Sequence, residues 1–157
     1  MREKVYLLTI FFVILTISSC DKNRLFEENQ KVAESGWYYA DKMVFKVSVE
    51  DISKPYNLYI NTRIANDFKY SNVFFLLTQT NPDKTTETQR SEIILANESG
   101  KWLGNGVGNV FEYRQPVKQN FKFPEAGIYQ FELEQNMRDD TLMHIVSAGI
   151  RVELALP

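Results

Sequence analysis

The segment Met43–Val49, with the sequence MVFKVSV, indicates the fold of this 157-residue chain most clearly. Apolar side chains at its odd-numbered positions alternate with Val44, Lys46 and Ser48. A period of two is that of a β-strand with one buried face and one solvated face. The segment therefore predicts a half-buried strand.

Similar strands are predicted on both sides of this segment. The same alternation is found in Leu58–Ile64, Tyr129–Glu134 and Ile150–Leu156. Val73–Leu77 and the shorter Ile93–Leu95 are apolar on both faces, which favours central strands. Turn-forming residues separate the runs at Lys54-Pro55, Asn81-Pro82-Asp83, Glu98-Ser99-Gly100, Pro124–Gly127 and Arg138-Asp139-Asp140. The pattern predicts an all-β fold, an antiparallel β-sandwich of about eight strands over residues 37–157, either jelly-roll or immunoglobulin-like.

Composition excludes several classes of protein. The formal net charge is −2 and the pI is near 5.5, so we expect no nucleic-acid partner, which would require a basic surface. One Cys cannot form an internal disulfide, and one Cys with one His cannot build a thiolate–imidazole zinc site. We expect neither a metal nor a cofactor.

The amino terminus has the features of a secretory signal. Arg2 and Lys4 precede the apolar run Val5–Ile17, which is shorter than the roughly 20 residues that span a bilayer. Ser18 and Ser19 then lead to Cys20, the only cysteine. This order is that of a bacterial lipobox, in which the chain is cut before the cysteine and its thiol is acylated.

We therefore predict a signal helix over residues 1–19, with a membrane as partner through lipid on Cys20. Residues 20–36 are mostly polar, so we interpret them as the anchor and a tether that holds the domain off the bilayer. The expected location is the cell envelope, on either its periplasmic face or its outer surface.

Candidate catalytic residues are few. His144 is the only imidazole, and no Gly-x-Ser-x-Gly nucleophile elbow is present. Glu132 and Glu134 share one side of a predicted strand, where acidic residues usually solvate a face. We expect them, with Asp139, to pair with Arg63, Arg138 or Arg151 structurally, and we expect no enzyme, although a carboxylate hydrolase is a weaker alternative.

The glycine-rich stretch Trp102–Val110 contains Gly104, Gly106 and Gly108 at every second position. On one strand all three would share a face. The preferred interpretation is that packed aromatic rings cover this face. The alternative is a trough beside Trp102 that receives a partner strand or loop.

Exposed aromatic residues suggest two further possibilities. An aromatic patch near Tyr70 or Trp102 could bind a protein, and strand addition at a sheet edge is a second route. Alternatively, Trp37, Tyr39 and Trp102 could form a stacking platform for carbohydrate. Three coplanar rings on an open face would favour sugar.

Seven blocks in order resemble one known family. They are Ile17–Cys20, Tyr56–Arg63, Tyr70–Phe74, Gly100–Gly106, Phe123–Tyr129, Glu134–Arg138 and Ala148–Glu153. In this order and spacing the chain resembles the GldH gliding-motility lipoproteins of Bacteroidota. The resemblance implies an envelope lipoprotein linked to type IX secretion, with other motility or secretion proteins as partners and with neither enzymatic activity nor a cofactor.

The family's acylated cysteine corresponds to Cys20. Within the blocks, the candidate partner-binding residues are Tyr70, Asn72, Trp102, Gly104, Gly106 and Arg138. Asp140-Thr141-Leu142 also resembles the motif for O-glycosylation of exported proteins in the same bacterial group, which makes Thr141 a candidate modification site.

Overall fold

The computed structural model describes residues 21–156, and these residues form eleven β-strands. The strands are β1 (Arg24–Lys31), β2 (Trp37–Tyr38), β3 (Met43–Val49), β4 (Tyr56–Ala65), β5 (Asn72–Thr80), β6 (Thr86–Ile94), β7 (Asn105–Val107), β8 (Val110–Phe121), β9 (Gly127–Gln135), β10 (Thr141–Leu142) and β11 (Ile145–Leu154). The predicted signal helix over 1–19 and Cys20 lie outside the described residues. Within residues 21–156, no helix is long and apolar enough to cross a membrane.

Two antiparallel sheets pack face to face, which confirms the predicted all-β sandwich. One has five strands in the order β1-β11-β4-β8-β7, and the other has four in the order β3-β9-β5-β6. A two-stranded ribbon joins β2 to β10. Most connections between successive long strands cross from one sheet to the other, so loops collect at the two ends of the sandwich.

The predicted alternation is confirmed in the strands that face the core. Every odd-numbered residue of β3 is buried and every even-numbered one is exposed. In β9, Tyr129, Phe131 and Leu133 are buried at 0% exposure. β5 lies between β9 and β6, as its two apolar faces predicted. The prediction that Ile93–Leu95 belongs to a central strand is wrong for Ile94. β6 is an edge strand, and the outward side chain of Ile94 is 52% exposed.

The core contains large aromatic rings whose polar groups are satisfied by the backbone. Tyr129 donates its hydroxyl to the carbonyl of Glu125 at 2.8 Å, and Tyr113 donates to that of Leu95 at 2.7 Å. The indole of Trp37 donates to the carbonyl of Asp41 at 2.7 Å. These bonds let an aromatic side chain be buried without an unpaired donor, which would otherwise be costly.

The tether predicted over 20–36 is wrong over residues 24–31. Residues 24–31 form β1, which pairs with β11 from Arg24↔Glu153 to Lys31↔Ser147. Phe26 packs edge-on against Phe45 of the opposite sheet, with ring centroids 6.5 Å apart. The folded domain therefore begins with β1 at Arg24 rather than at Trp37.

The interpretation of the glycine stretch as one strand is also wrong. Only residues 105–107 form a strand, and Gly108 lies in the turn of the β7–β8 hairpin with φ of 62°. A Cβ added at Gly104 would lie 2.6 Å from the ring of Tyr113, and one at Gly106 would lie 3.1 Å from that of Phe111. Aromatic rings of this chain therefore cover both glycines, as the preferred interpretation predicted.

Candidate functional site

A groove of about 480 Å³ lies on the outer face of the four-stranded sheet, where β5 begins. Its lining residues come from three segments of the chain: Tyr70, Asn72, Phe74, Arg90, Asn136, Met137 and Arg138. Three of them, Tyr70, Asn72 and Arg138, are candidate partner-binding residues from the sequence. The fold thus brings together residues that are up to 68 positions apart in the chain.

The loop after β9 forms one wall of the groove, and a buried glutamine holds it in place. Gln135 is 3% exposed. Its side-chain oxygen accepts from the backbone N–H of Met137 at 2.8 Å, and its amide donates to the carbonyl of Asp139 at 3.0 Å. Asn136 donates its backbone N–H to the carbonyl of Phe74 at 2.8 Å. The wall is therefore fixed to both β9 and β5.

Tyr70 closes the end of the groove through the same loop. Its hydroxyl donates to Oδ2 of Asp139 at 2.7 Å, and Nζ of Lys69 lies 3.4 Å from that oxygen. The hydrogen bond from Tyr70 and the charge of Lys69 hold the pKa of Asp139 below its usual range. Asp139 is therefore already occupied as an acceptor within the chain.

Two arginines supply positive charge at the rim. The guanidinium carbon of Arg90 lies 3.7 Å from the ring centroid of Phe74, and its Nε donates to the side-chain oxygen of Asn136 at 2.8 Å. Arg138 is exposed. Among residues 21–156, neither arginine has a carboxylate partner within ion-pair distance. Stacking on Phe74 holds the guanidinium of Arg90 in place without a bound partner.

The remaining candidates do not join this groove. Trp102 is half-buried and packs on Phe111, with ring centroids 5.9 Å apart. The rings that cover Gly104 and Gly106 fill the space where a trough was expected. Trp102, Gly104 and Gly106 therefore lie outside the groove that Tyr70, Asn72 and Arg138 line.

The geometry for a sugar-stacking platform is absent from the described residues. Trp37 is 2% exposed and packs against Phe75 in the core. Tyr39 is 50% exposed, but its ring is tilted by 52° from that of Tyr38. A buried tryptophan cannot stack on a sugar ring, so the three predicted aromatics do not form one open face.

A second polar cluster lies on the outer face of the five-stranded sheet. Arg151 projects from that face, yet its side chain is only 7% exposed because carboxylates cover it. Its NH1 lies 2.6 Å from Oε2 of Glu27, its Nε lies 2.5 Å from Oε2 of Glu153, and its NH2 binds Asp21. Alternation placed Arg151 correctly on the outward face but did not predict that it is buried.

The neighbours of Arg151 extend this cluster across four strands, β1, β4, β8 and β11. Asn61 and Arg114 both donate to Oε1 of Glu27 at 2.9 Å. Burial raises the pKa of Glu27, but the hydrogen bond from Arg151 and the charge of Arg114 outweigh it and leave the pKa below its usual value. A hydrogen bond from Arg151 likewise lowers the pKa of Asp21. Asp21 and Glu27 are thus held ionised around the arginine.

The ion pairs expected from sequence therefore have other partners. Glu132 and Glu134 both pair with Lys42, at 3.1 and 3.0 Å. Arg63 pairs with Glu112 at 3.1 Å. The prediction failed because the pairing of strands decides which charges face each other, and alternation within one strand does not reveal it.

Residues that could support catalysis or a metal are dispersed. Nδ1 of His144 lies 3.1 Å from Oδ1 of Asp67, and both side chains are well exposed. Across residues 21–156, no group of three or more His, Cys, Asp or Glu side chains has the geometry to hold a metal ion. The described residues form a β-sandwich with a groove that two arginines line.

Comparison with known proteins identifies the family. The model of the GldH lipoprotein family matches residues 24–152, and the chain belongs to that family. A protein named gliding motility lipoprotein GldH homolog, from Christiangramia forsetii, is 32% identical and aligns over 98% of each chain. The gliding motility lipoprotein GldH of Flavobacterium johnsoniae is 29% identical over 92% of this chain and 93% of its own.

One solved structure illustrates a weak likeness. A carbohydrate-binding module specific for non-crystalline cellulose has a TM-score of 0.45 at 9% identity, over 84% of this chain and 74% of the module. A score this low supports no shared ligand. The family match, rather than this likeness, identifies the chain.

Proposed function

We propose that this chain is a non-catalytic lipoprotein of the bacterial cell envelope that serves gliding motility through protein contacts. Relatives named as gliding motility lipoproteins align with nearly the whole chain, and this is the observation that carries the proposal. In this proposal acyl chains on Cys20 hold the protein on a membrane, and each buried CH₂ contributes about 0.8 kcal/mol to the anchoring.

The chemistry of the described side chains favours a binding role over a catalytic one. His144 has an exposed carboxylate as its neighbour, and the acids around Arg151 are engaged in ion pairs with that arginine. A general acid or base usually needs a pKa near the working pH. The pKa values of Asp21 and Glu27 are instead lowered away from neutrality.

The groove at the start of β5 is the proposed contact with a protein partner. Its floor is apolar at Phe74 and Met137, and its rim carries Arg90 and Arg138. The nearby acid Glu92 already accepts from Asn72 at 2.7 Å. A partner segment that carries a carboxylate beside an apolar side chain would pair with the arginines and pack against the apolar residues.

Modification of Thr141 remains a prediction. Thr141 is exposed in the short strand β10, whereas Leu142 beside it is 1% exposed. The hydroxyl is therefore on the accessible side of the ribbon, where an oxygen-linked glycan would not disturb the core.

Complementation tests this proposal. We expect expression of the chain in Flavobacterium johnsoniae lacking its own GldH to restore colony spreading, and Arg90→Glu with Arg138→Glu to abolish it. The double reversal places two acids where the partner's acid should bind, and like charges there cost several kcal/mol. The measurement is the spreading rate, with envelope levels followed by immunoblot.

A matched variant separates a groove effect from a general effect of charge. Lys31→Glu with Lys101→Glu makes the same change in net charge at two exposed positions outside the groove. We expect colonies that express this variant to spread at the same rate as colonies that express the wild type. Failure of the exported wild type to restore spreading would contradict the motility role, whereas normal spreading of the Arg90/Arg138 variant would contradict the groove assignment alone.

A further inference from the structure

One end of the sandwich contains Asp21, the residue that follows the acylation site proposed at Cys20. β1 begins and β11 ends at this end of the sandwich, and the loop between β3 and β4 lies there too. Leu154 donates its backbone N–H to the carbonyl of Asn23 at 2.8 Å, and Ala155 donates to that of Pro55 at 2.9 Å. We name this end, formed by residues 21–25, 50–55 and 154–156, the anchor pole.

Asp21, the first described residue, is already bonded to this pole. Asp21 binds Arg151, whose side chain is 7% exposed, and its carbonyl accepts from the backbone N–H of Arg24 at 3.2 Å. One peptide unit spans about 3.8 Å, so the proposed acylation site is attached to the chain one peptide unit before Asp21, a residue bonded to the sheet. A lipid attached at Cys20 therefore starts at the surface of the folded domain.

The anchor pole also exposes apolar side chains. Leu25 is 37% exposed, Ile52 is 41% exposed and Leu156 is 68% exposed. Each belongs to a different segment of the pole, and the exposed Lys22 and Lys54 belong to the same segments, with Nζ of Lys54 paired with Asp51 at 2.9 Å. Apolar side chains with long basic neighbours suit the boundary between acyl chains and headgroups.

We propose that the anchor pole rests on the lipid bilayer, with Leu25, Ile52 and Leu156 in contact with the membrane interface. The inference rests on the acylation of Cys20 in the proposed function. Acyl chains inserted in the bilayer bring the pole to its surface, because the connection is too short to hold the domain away. The bilayer then buries apolar side chains that the protein leaves exposed.

This orientation has a consequence for the groove. β5 begins at the groove and ends at Thr80. Thr80 pairs with Gln130 near the start of β9, and the start of β9 pairs with Val49, which comes just before the 50–55 loop. The far end of β5 is therefore at the anchor pole. The nine residues of β5 span roughly 30 Å. The groove therefore lies at the end of the sandwich away from the bilayer, where a partner protein can reach it.

Depth-dependent fluorescence tests the orientation on the full lipoprotein. Ile52→Cys and Leu156→Cys each provide one thiol for an environment-sensitive dye, since the Cys20 thiol is acylated. Leu103→Cys is the matched control, because Leu103 is 56% exposed and follows β6 at the opposite end. Each protein is reconstituted into phosphatidylethanolamine–phosphatidylglycerol vesicles whose acyl chains carry bromine as a quencher.

We expect the dyes at 52 and 156 to shift to the blue and lose most of their fluorescence, and the dye at 103 to do neither. Three equally unquenched dyes on protein that floats with the vesicles would overturn the orientation and leave the lipoprotein function intact. Protein that fails to float and has an unmodified Cys20 would overturn both.

Discussion

Replacing Arg151 by methionine is expected to lower the free energy of unfolding by about 3 kcal/mol. The substitution keeps most of the volume but leaves Asp21, Glu27 and Glu153 facing one another without their shared cation. Removing one partner of a largely buried ion pair typically costs 3–5 kcal/mol, and the partial exposure of the acids favours the lower end. Urea unfolding at pH 7, followed by tryptophan fluorescence, measures the loss.

The pH dependence distinguishes this cause from loss of packing. In the wild type, the pKa of Glu27 is lowered from the ordinary value of 4.5. The ionised Glu27 therefore contributes fully to stability above about pH 4.5, and this contribution is lost as the pH falls through the lower pKa of the folded protein. In the variant the clustered acids should instead take up protons more readily. The difference in stability between the two proteins should therefore shrink on acidification.

Arg63→Met serves as the matched control for Arg151→Met. Arg63 pairs with Glu112 on the same sheet, but the two side chains are 49% and 39% exposed. Exposed pairs contribute about 0–1 kcal/mol, so this variant should unfold close to the wild type. Equal losses for the two methionine variants would contradict the assignment of a special role to the Arg151 cluster.

Replacing Gly149 by alanine is expected to displace β1 from the sheet and to cost about 3 kcal/mol. Gly149 lies in β11 opposite Asn29 of β1. A Cβ there would lie 2.7 Å from the Cα of Asn29 and closer still to the carbonyl of Glu28. These are backbone atoms, so the strand itself must move. Hydrogen exchange should show lost amide protection across β1 and retained protection in β9.

Gly108→Ala provides a comparison at a glycine without steric contact. Nothing lies within 4 Å of a Cβ at Gly108, so the cost is only the left-handed backbone at φ of 62°, about 1 kcal/mol. We expect its β1 amides to remain protected. If Gly149→Ala left β1 protected and cost no more than Gly108→Ala, the pairing of β1 with β11 would be contradicted.

Hydrophobic alternation predicted the sandwich because it reports directly which face of a strand is buried. It succeeded for β3 and β9, whose inward side chains are large and apolar. It missed β1, with the sequence RLFEENQK, because an edge strand is only partly covered on either face. The carboxylate of Glu27 has its cation on β11, 124 residues away, and no local pattern encodes that contact.

The groove was predictable only in part, for a similar reason. Tyr70, Asn72 and Arg138 were candidates because they lie in blocks shared with a known family. Arg90 was missed, since its role depends on the register that places β6 beside β5 and its guanidinium over Phe74. The polar run Thr86–Arg90 carries no apolar period that would have drawn attention to it.

The intact mass of the protein purified from envelope membranes tests the central claim, that this is an acylated lipoprotein, most directly. We predict a chain that begins at Cys20 and carries acyl groups, and a Cys20→Ser variant that incorporates no labelled palmitate. A mature chain with an unmodified Cys20, or label retained by the serine variant, would contradict the claim.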